Sequence, residues 1–323
     1  MGTLLLTRSQ VEMLLEPTEL LPALRKAFVA YSADRNERAR RVRSRLPGPG
    51  TATVLFPGVT PGIPAYSVKV HAKFPDQNPA IRGVLCLHAG DTGDLLAIMD
   101  STYLTAVRTG LAGALAADVL ARPDANTAAV VGAGVQGRYQ LRFLATLRRL
   151  THAFVYDVVP DRALAFARDM AAELGIVVEP TTSVAAAVRE AGIVLTATWA
   201  REPFIVAGML SPGAHITTLG PDEPGKAEVA ADIIRNALFI CDDRDLAVEM
   251  GALAGVGLGL NAIAAELGEV IGGAHPGRSA QEQVTIYGGV GLAFQDVVVA
   301  WSVYESARQR GVGREIDFIQ GTA

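Results

Sequence analysis

The chain has little of what marks several common protein classes. It contains two cysteines and five scattered histidines in 323 residues, which argues against a disulfide-stabilised secreted protein and against a histidine metal centre. Its formal charge of −4 gives no reason to expect nucleic acid as a partner. The most apolar long window, 251–267, contains Asn261, Glu266 and several glycines and is a poor membrane span. Half of the residues are hydrophobic, and the length favours two globular domains.

The first residues also lack targeting signals. They show neither the basic segment nor the cleavage site of a secretory signal, and position 6 is Leu where myristoylation needs Ser or Thr. Cys86 and Cys241 lie in apolar runs far apart, which predicts buried free thiols in a reducing compartment. The expected protein is soluble and cytoplasmic, with no membrane partner.

A glycine-rich motif is the strongest local signal. An apolar β-type run, Ala128 to Val131, leads directly into Gly132, Gly134 and Gly137 at G-x-G-x-x-G spacing, and a helical pattern follows. The glycines allow a tight turn, close approach to a pyrophosphate and close helix–strand packing, while the free N–H groups of the new helix hold phosphates. Strand before and helix after predict a dinucleotide site rather than an ordinary glycine-rich turn.

An acidic residue indicates which dinucleotide is bound. Asp157 lies 20 residues after Gly137, at the end of the second predicted strand. A carboxylate there accepts hydrogen bonds from the adenosine ribose hydroxyls and repels a 2′-phosphate. The first cation that follows is Arg162, inside the next predicted helix, so NAD(H) is favoured over NADP(H). Alternatively, Asp157 caps the helix that starts near Pro160, and both roles can hold together.

The pattern along the chain predicts an α/β protein with two domains. From residue 126, strands at 128–131, 153–156, 176–178, 193–197, 214–218 and 237–241 alternate with helices, as in a Rossmann-type doubly wound parallel sheet. The first ~120 residues look α+β, with a hairpin at GDTGD and an apolar helix at 104–120. A last helix from about 292 to 310 is expected to return to the first domain. The predicted domains are 1–120 plus 292–323, and 121–291.

Seven segments, in order and over nearly the whole chain, resemble the ornithine cyclodeaminase and μ-crystallin family, which includes archaeal-type alanine dehydrogenases and ketimine reductases. They are RSRLP (43–47), KVHAKFP (69–75), LTAVRTGLAGALAA (104–117), GAGVQG (132–137), DEPGKAEV (222–229), AELGEVIGG with PGR (265–278), and GVGLAFQDVVVAWSVYESA (289–307).

The resemblance implies a discontinuous substrate and dimerisation domain, a Rossmann domain, an active site in the cleft between them, and a homodimer. It implies that Arg43 and Arg108 bind the substrate α-carboxylate, a suitable role for guanidinium groups. Lys69 would face the reacting nitrogen, and Asp222 would contact the same nitrogen and shuttle a proton. The cofactor-binding set would comprise Thr109, Gly132, Gly134, Val135, Gln136, Gly137, Asp157, Thr198 and Val290, with no metal.

The implied catalytic roles are physically plausible, but each has an alternative. Lys69 lies in an apolar strand, so burial and neighbouring arginines should lower its pKa. Lys73 shares its face and competes for the same role. Arg108 is a lone charge on an apolar helix and could instead pair with a buried carboxylate. Asp222 could cap the turn at 224–225.

The remaining basic residues are harder to assign. Six arginines occupy 35–45, most of which must be solvated, and Arg45 is the alternative to Arg43. His71 and His215 are interpreted as structural histidines with satisfied hydrogen bonds.

Two departures from the family pattern bear on the reaction. The strand TATVLFP (51–57) lacks the carboxylate that cyclodeaminases typically carry before this proline, and YGGVG (287–291) replaces F-K-S-x-G. We therefore expect an NAD(H)-dependent oxidoreductase acting on the C–N bond of a small α-amino or α-imino acid, such as alanine or Δ1-pyrroline-2-carboxylate. The alternatives are an ammonia-releasing ornithine or lysine cyclodeaminase that uses NAD catalytically, and a non-catalytic binding protein similar to μ-crystallin.

Overall fold

A computed structural model describes residues 2–34, 38, 41–46, 48, 50 and 52–318. The chain forms two compact units. The first comprises Met1–Arg108 and Leu292–Ala323, and the second comprises Thr109–Gly291.

The described residues form strands and helices in the following order. The strands are β1 (Thr3–Leu6), β2 (Val42–Ser44), β3 (Thr53–Val59), β4 (Ala65–Lys73), β5 (Ile81–Ala89), β6 (Leu95–Asp100), β7 (Thr127–Val131), β8 (His152–Tyr156), β9 (Val177–Pro180), β10 (Ile193–Thr196), β11 (His215–Thr218), β12 (Leu238–Cys241), β13 (Ala265–Glu266), β14 (Thr285–Gly288) and β15 (Arg314–Ile316). The helices are α1 (Arg8–Leu14), α2 (Leu21–Ala33), α3 (Ser101–Leu120), α4 (Val135–Leu147), α5 (Pro160–Leu174), α6 (Val184–Arg189), α7 (Ala231–Asn236), α8 (Arg244–Glu249), α9 (Leu267–Ile271) and α10 (Ala293–Arg310).

The first unit is built on a mixed sheet in the order β15-β1-β6-β5-β4-β3-β2. Among the described strands of this sheet, β1 and β6 alone pair in parallel, and β5 and β6 form the hairpin predicted from GDTGD. Strand β4 alternates strictly, because every second side chain from Ala65 to Lys73 is buried. α10 packs against β3, β4 and α2, where Phe28 and Phe294 meet edge to face at 5.1 Å.

The opposite face of this sheet carries exposed apolar side chains. Val42, Leu55, Val70 and Val84 are cross-strand neighbours on β2 to β5, and each is 38–57% exposed. Because facing residues of adjacent strands share a face, they form one continuous row, which we call the open row.

The second unit contains a parallel sheet in the order β13-β12-β14-β11-β10-β7-β8-β9, with helices between most strands. The predicted doubly wound α/β fold is confirmed. The buried residues of β10, β11 and β14 form continuous runs, as expected for strands covered on both faces. Strand β14 was not predicted, and it lies between β11 and β12.

Helix α3 begins three residues before its predicted start and continues to Leu120. Gly110 lets it approach α4 closely, since a Cβ there would lie 2.6 Å from the Cβ of Tyr139. Across the described part of the chain, no helix has both the length and the apolar character to cross a bilayer.

Candidate active site

A buried ionic cluster in the first unit contains the predicted lysine. Lys69 points to the covered face of β4 and is 0% exposed. Its Nζ lies 2.7 Å from Oδ2 of Asp296 and donates to Oγ1 of Thr105 at 3.3 Å. It also lies 4.5 Å from the centroid of the Phe56 ring. Lys73 is buried on the same face, as predicted, but the contacts with Asp296 and Thr105 are made by Lys69.

Asp296 connects this lysine to the predicted arginine. Nε of Arg108 donates to Oδ1 of Asp296 at 3.1 Å, and a terminal nitrogen donates to Oε1 of Gln295 at 3.1 Å. Both acceptors lie in the first turn of α10, where the helix dipole favours a carboxylate. The sequence analysis missed Asp296, although two polar residues inside the apolar segment GLAFQDVVV were a signal. Arg108 therefore pairs with a buried carboxylate, which was the alternative considered in the sequence analysis.

Burial and charge set the protonation of the cluster. Burial is the largest influence on the pKa of Lys69, and it lowers that pKa to about 7. The charge of Asp296 opposes this shift, whereas the charges of Arg108 and Arg41 reinforce it. The predicted lowering of the Lys69 pKa is thus confirmed. Burial alone would raise the pKa of Asp296, but the charges of Lys69 and Arg108 outweigh it and hold that pKa below its ordinary value.

The two histidines interpreted as structural differ. Nδ1 and Nε2 of His215 lie 2.9 Å from the hydroxyls of Thr285 and Thr217, so that interpretation is confirmed. His71 is 5% exposed, and neither ring nitrogen has a hydrogen-bond partner among the described residues. For His71 the expectation of satisfied hydrogen bonds was wrong: the ring lies beside Phe56, and the charges of Lys69, Lys73, Asp296 and Arg108 act on it without a hydrogen bond to either nitrogen.

A contact with the Phe56 ring identifies the arginine that reaches this cluster. Arg43 pairs with Val54, which puts it on the covered face, but its side chain is exposed. Arg41 precedes β2, and its guanidinium carbon lies 4.9 Å from the centroid of the same Phe56 ring that Lys69 contacts. Arg45 is exposed too. Positions 35–37, 39, 40 and 47 of the basic segment and the RSRLP motif lie outside the described residues.

The glycine motif of the second unit has the shape of a phosphate-binding turn. Gly132 has φ +102°, and a Cβ there would lie 3.0 Å from the carbonyl oxygen of Ala197. A Cβ at Gly137 would collide with the carbonyl oxygen of Gly132, whereas at Gly134 it would meet open space. Helix α4 starts directly after Gly134 with no side-chain cap, so its first N–H groups suit a pyrophosphate. These residues fit a dinucleotide.

Asp157 follows β8 and supports this turn. Its Oδ2 accepts from the backbone N–H of Ala133 and its Oδ1 from that of Val159, both at 2.9 Å. The carboxylate therefore joins the glycine turn to the start of α5, which contains Arg162 as predicted. The remaining lone pairs of the two oxygens suit ribose hydroxyls.

The predicted proton shuttle lies in a compact ionic group beyond β11. Oδ1 of Asp222 is 2.9 Å from Nζ of Lys226, which lies 4.0 Å from the centroid of the Trp199 ring. Lys226 is 4% exposed and lies 3.8 Å from Oε1 of Glu223. Asp222 is thus held in an ion pair, which the sequence analysis did not predict.

A carboxylate that the sequence analysis missed organises the adjoining strand ends. Glu228 is 1% exposed and accepts from the hydroxyls of Thr196, Thr198 and Thr218 at 2.6–2.7 Å. It also accepts from the backbone N–H of Thr198 at 2.6 Å and of Gly220 at 3.2 Å. The predicted cofactor residue Thr198 and the segment leading to Asp222 are therefore fixed by one group.

The other predicted cofactor residues lie in three places in the second unit. The backbone N–H groups of Val290 and Gly291 donate to Oδ2 of Asp242 at 2.9 and 2.7 Å. Thr109 is the first residue of this unit, in α3, while Val135 and Gln136 form the first turn of α4. In the described residues, no three His, Cys, Asp or Glu side chains are grouped to hold a metal ion.

Comparison with known proteins identifies the family. The model of the ornithine cyclodeaminase/mu-crystallin family matches residues 1–311. The chain belongs to this family. The resemblance identified from the sequence is confirmed.

Individual relatives agree over the full length. The chain is 32% identical to the alanine dehydrogenase of Archaeoglobus fulgidus, covering 99% of this chain and 100% of the relative. An archaeal alanine dehydrogenase dimer with bound NAD superimposes with a TM-score of 0.92 at 32% identity, over 99% of this chain and 100% of that one. The Δ1-pyrroline-2-carboxylate reductase of Thermococcus litoralis, in complex with NADH and L-proline, superimposes with a TM-score of 0.92 at 30% identity. The match covers 97% of this chain and 100% of that one.

Proposed function

We propose that this member of the ornithine cyclodeaminase/mu-crystallin family is an NAD-dependent oxidoreductase that interconverts a small α-amino acid and its α-imino form. The observation that best supports this proposal is the buried arrangement of Lys69, Asp296 and Arg108. It combines a lysine whose pKa is about 7 with a guanidinium group suited to a carboxylate. The relatives, an alanine dehydrogenase and a Δ1-pyrroline-2-carboxylate reductase, perform this class of reaction.

The second unit holds the dinucleotide. When bound, NAD(H) supplies or accepts the hydride. The turn at Gly132 and Gly134, with the start of α4, binds the pyrophosphate, and Asp157 accepts from the ribose hydroxyls and disfavours a 2′-phosphate. The other proposed cofactor residues are Thr109, Val135, Gln136, Gly137, Thr198 and Val290.

The first unit binds the acid. Arg108 and Arg41 bind the α-carboxylate, with Arg41 in the role expected for Arg43, because Arg41 shares the Phe56 ring with Lys69. Lys69 holds a proton at the substrate nitrogen, and with a pKa of about 7 it can give or take that proton near neutral pH. In the second unit Asp222, oriented by Lys226, is the second proposed proton-transfer residue.

The test is the loss of NADH absorbance with Δ1-pyrroline-2-carboxylate, or with pyruvate plus ammonia. Rapid loss that is abolished in Lys69→Ala, but retained in Lys26→Ala as a control, is expected. Ammonia release from ornithine or lysine with no net NADH change would instead make the protein a cyclodeaminase. Tight NADH binding with no turnover of any of these compounds would favour a binding protein.

We further propose a homodimer formed through the open row. Monomers rarely expose so continuous an apolar patch, and the structurally similar archaeal alanine dehydrogenase is a dimer. Sedimentation should give a dimer for the wild type and a monomer for Val70→Asp; a dimer in both would refute this interface. The free thiols Cys86, which is half-buried, and Cys241 are consistent with a cytoplasmic location.

A further inference from the structure

His71 is a buried polar side chain that the reaction proposed above does not use. It is 5% exposed, and among the described residues neither ring nitrogen has a hydrogen-bond partner. Buried side-chain nitrogens are nearly always hydrogen-bonded, and leaving one unmet costs about 1–3 kcal/mol. A ligand that enters the site can supply the missing bond.

Its surroundings show where that ligand lies. The His71 ring is 5.2 Å, centroid to centroid, from Phe56, the ring contacted by Lys69 at 4.5 Å and by Arg41 at 4.9 Å. Lys69 and Lys73 flank it on the same face of β4, and both are buried. Hence His71 faces the group of side chains that we assign to the substrate.

The electrostatics define the chemistry of the ligand. Burial, followed by the charges of Lys69 and Lys73, lowers the pKa of His71 to about 3, while Asp296 opposes and Arg108 reinforces this shift. The ring is therefore neutral near pH 7, with one N–H donor and one acceptor. A second ammonium group would be repelled by the surrounding cations, whereas a carboxylate accepts from the imidazole and is attracted to Lys73.

The spacing limits the length of the substrate. Alternate residues of a strand lie about 7 Å apart, so His71 is one step along β4 from Lys69. With the α-carboxylate at Arg108 and the nitrogen at Lys69, a side chain of a methylene group and a carboxylate reaches His71, while a methyl group does not.

We propose that His71 and Lys73 form a subsite for a second carboxylate, so that the substrate is a short α-imino or α-amino dicarboxylic acid. This inference rests on the proposed function for the placement of the α-carboxylate and nitrogen. It distinguishes this chain from an enzyme for alanine or for a cyclic imine with an apolar ring.

Calorimetric titration with succinate and with propionate, without cofactor, tests the subsite directly. Succinate should bind at least tenfold more tightly than propionate. His71→Phe keeps the ring contact with Phe56 but removes both nitrogens. It should weaken succinate binding about tenfold, or by about 1.4 kcal/mol. Propionate binding should change less than twofold. His152→Phe, which alters a histidine stacked on Phe154 in the second unit, is the matched control and should change neither.

Turnover provides a second, independent measurement. The value of kcat/KM with oxaloacetate plus ammonia should exceed that with pyruvate plus ammonia at least tenfold, after subtraction of NADH loss without ammonia. Lys73→Met should remove this preference, and it serves as the second variant if His71→Phe does not fold.

The possible outcomes separate the two proposals. Equal affinity for succinate and propionate, or an equal loss of affinity for both in His71→Phe, would overturn the proposed subsite. The proposed function would still stand if any imine were reduced in a Lys69-dependent manner. Conversely, selective succinate binding without reduction of any imine would support the subsite and refute the reaction.

Discussion

Replacing Asp296 by Asn should shift the pH dependence of catalysis. The substitution keeps the shape of the side chain but removes the negative charge that lies 2.7 Å from Nζ of Lys69 and 3.1 Å from Nε of Arg108. That charge opposes the effect of burial on Lys69. Without it, the pKa of Lys69 falls below its value of about 7.

The size of the shift follows from Coulomb's law. Two unit charges 2.7 Å apart interact by about 6 kcal/mol at an effective dielectric constant of about 20. At about 1.36 kcal/mol per pKa unit, this sets an upper limit of about four units. The new amide still offers an oxygen to Lys69, and the site relaxes, so we expect a shift of at least about one unit.

The assay is the pH profile of kcat/KM for imine reduction, followed by NADH absorbance. If protonated Lys69 donates to the substrate nitrogen, activity declines as pH rises through its pKa. In Asp296→Asn this decline should begin at lower pH. Asp169→Asn removes a carboxylate paired with Arg138 and Arg168 in the second unit, and should leave the profile unchanged.

A direct titration separates this effect from loss of structure. The ¹³C chemical shift of Lys69 Cε, followed as a function of pH, reports the pKa of this side chain. Cooperative unfolding of the variant shows separately that it is folded. An unchanged pKa, or one that rises in Asp296→Asn, would refute the reasoning, because it would mean that the carboxylate does not stabilise the ammonium.

Three further changes test other parts of the molecule. Glu228→Gln should lower the free energy of unfolding by about 2–4 kcal/mol and weaken NADH binding, because an amide cannot accept all the bonds made to the carboxylate; unchanged NADH affinity by calorimetry would contradict its role at Thr198. Asp157→Ala should reduce the preference for NADH over NADPH at least about tenfold in kcat/KM, since one like-charge repulsion is removed; a retained preference would assign cofactor choice elsewhere. The pKa of His71 is about 3 in the folded chain and 6.5 ordinarily, so between these values the unfolded chain binds a proton at His71 and the folded chain does not. The folded state is therefore destabilised relative to the unfolded state as pH falls from 6.5 towards 3. Urea unfolding should therefore show wild type losing up to about 1.4 kcal/mol per pH unit relative to His71→Phe below pH 6.5, and a difference independent of pH would contradict this.

The second unit was predictable because its signals are local. Central parallel strands are short apolar runs, and the glycine motif marks the first turn, so the predicted strand at 128–131 differs from β7 by one residue. β14 escaped prediction because Thr285–Gly288 runs into further glycines, which the sequence pattern does not distinguish from a turn. β1 and β15 pair across more than 300 residues, a contact that no local pattern reveals.

The site was predictable only in part, for the same reason. Lys69 and Arg108 are charges within apolar elements, and this contrast is visible in the sequence. The roles of Asp296 and Glu228 depend on which distant hydroxyls and cations surround them. The proposed role of Arg41 in place of Arg43 rests on its contact with the Phe56 ring, and closely spaced arginines give no sequence signal for such a contact.

The position of β14 has a consequence for how the chain folds as it is synthesised. β11 and β12 both emerge from the ribosome before the strand that joins them, so the edge of β11 stays unpaired for more than 60 further residues. The first unit likewise waits for α10 and β15. Both units therefore stay incomplete until residues 285–316 have been synthesised, and an exposed parallel edge is a target for aggregation until then. Chains that terminate before residue 285 should consequently depend on chaperones far more than chains that include β14, α10 and β15.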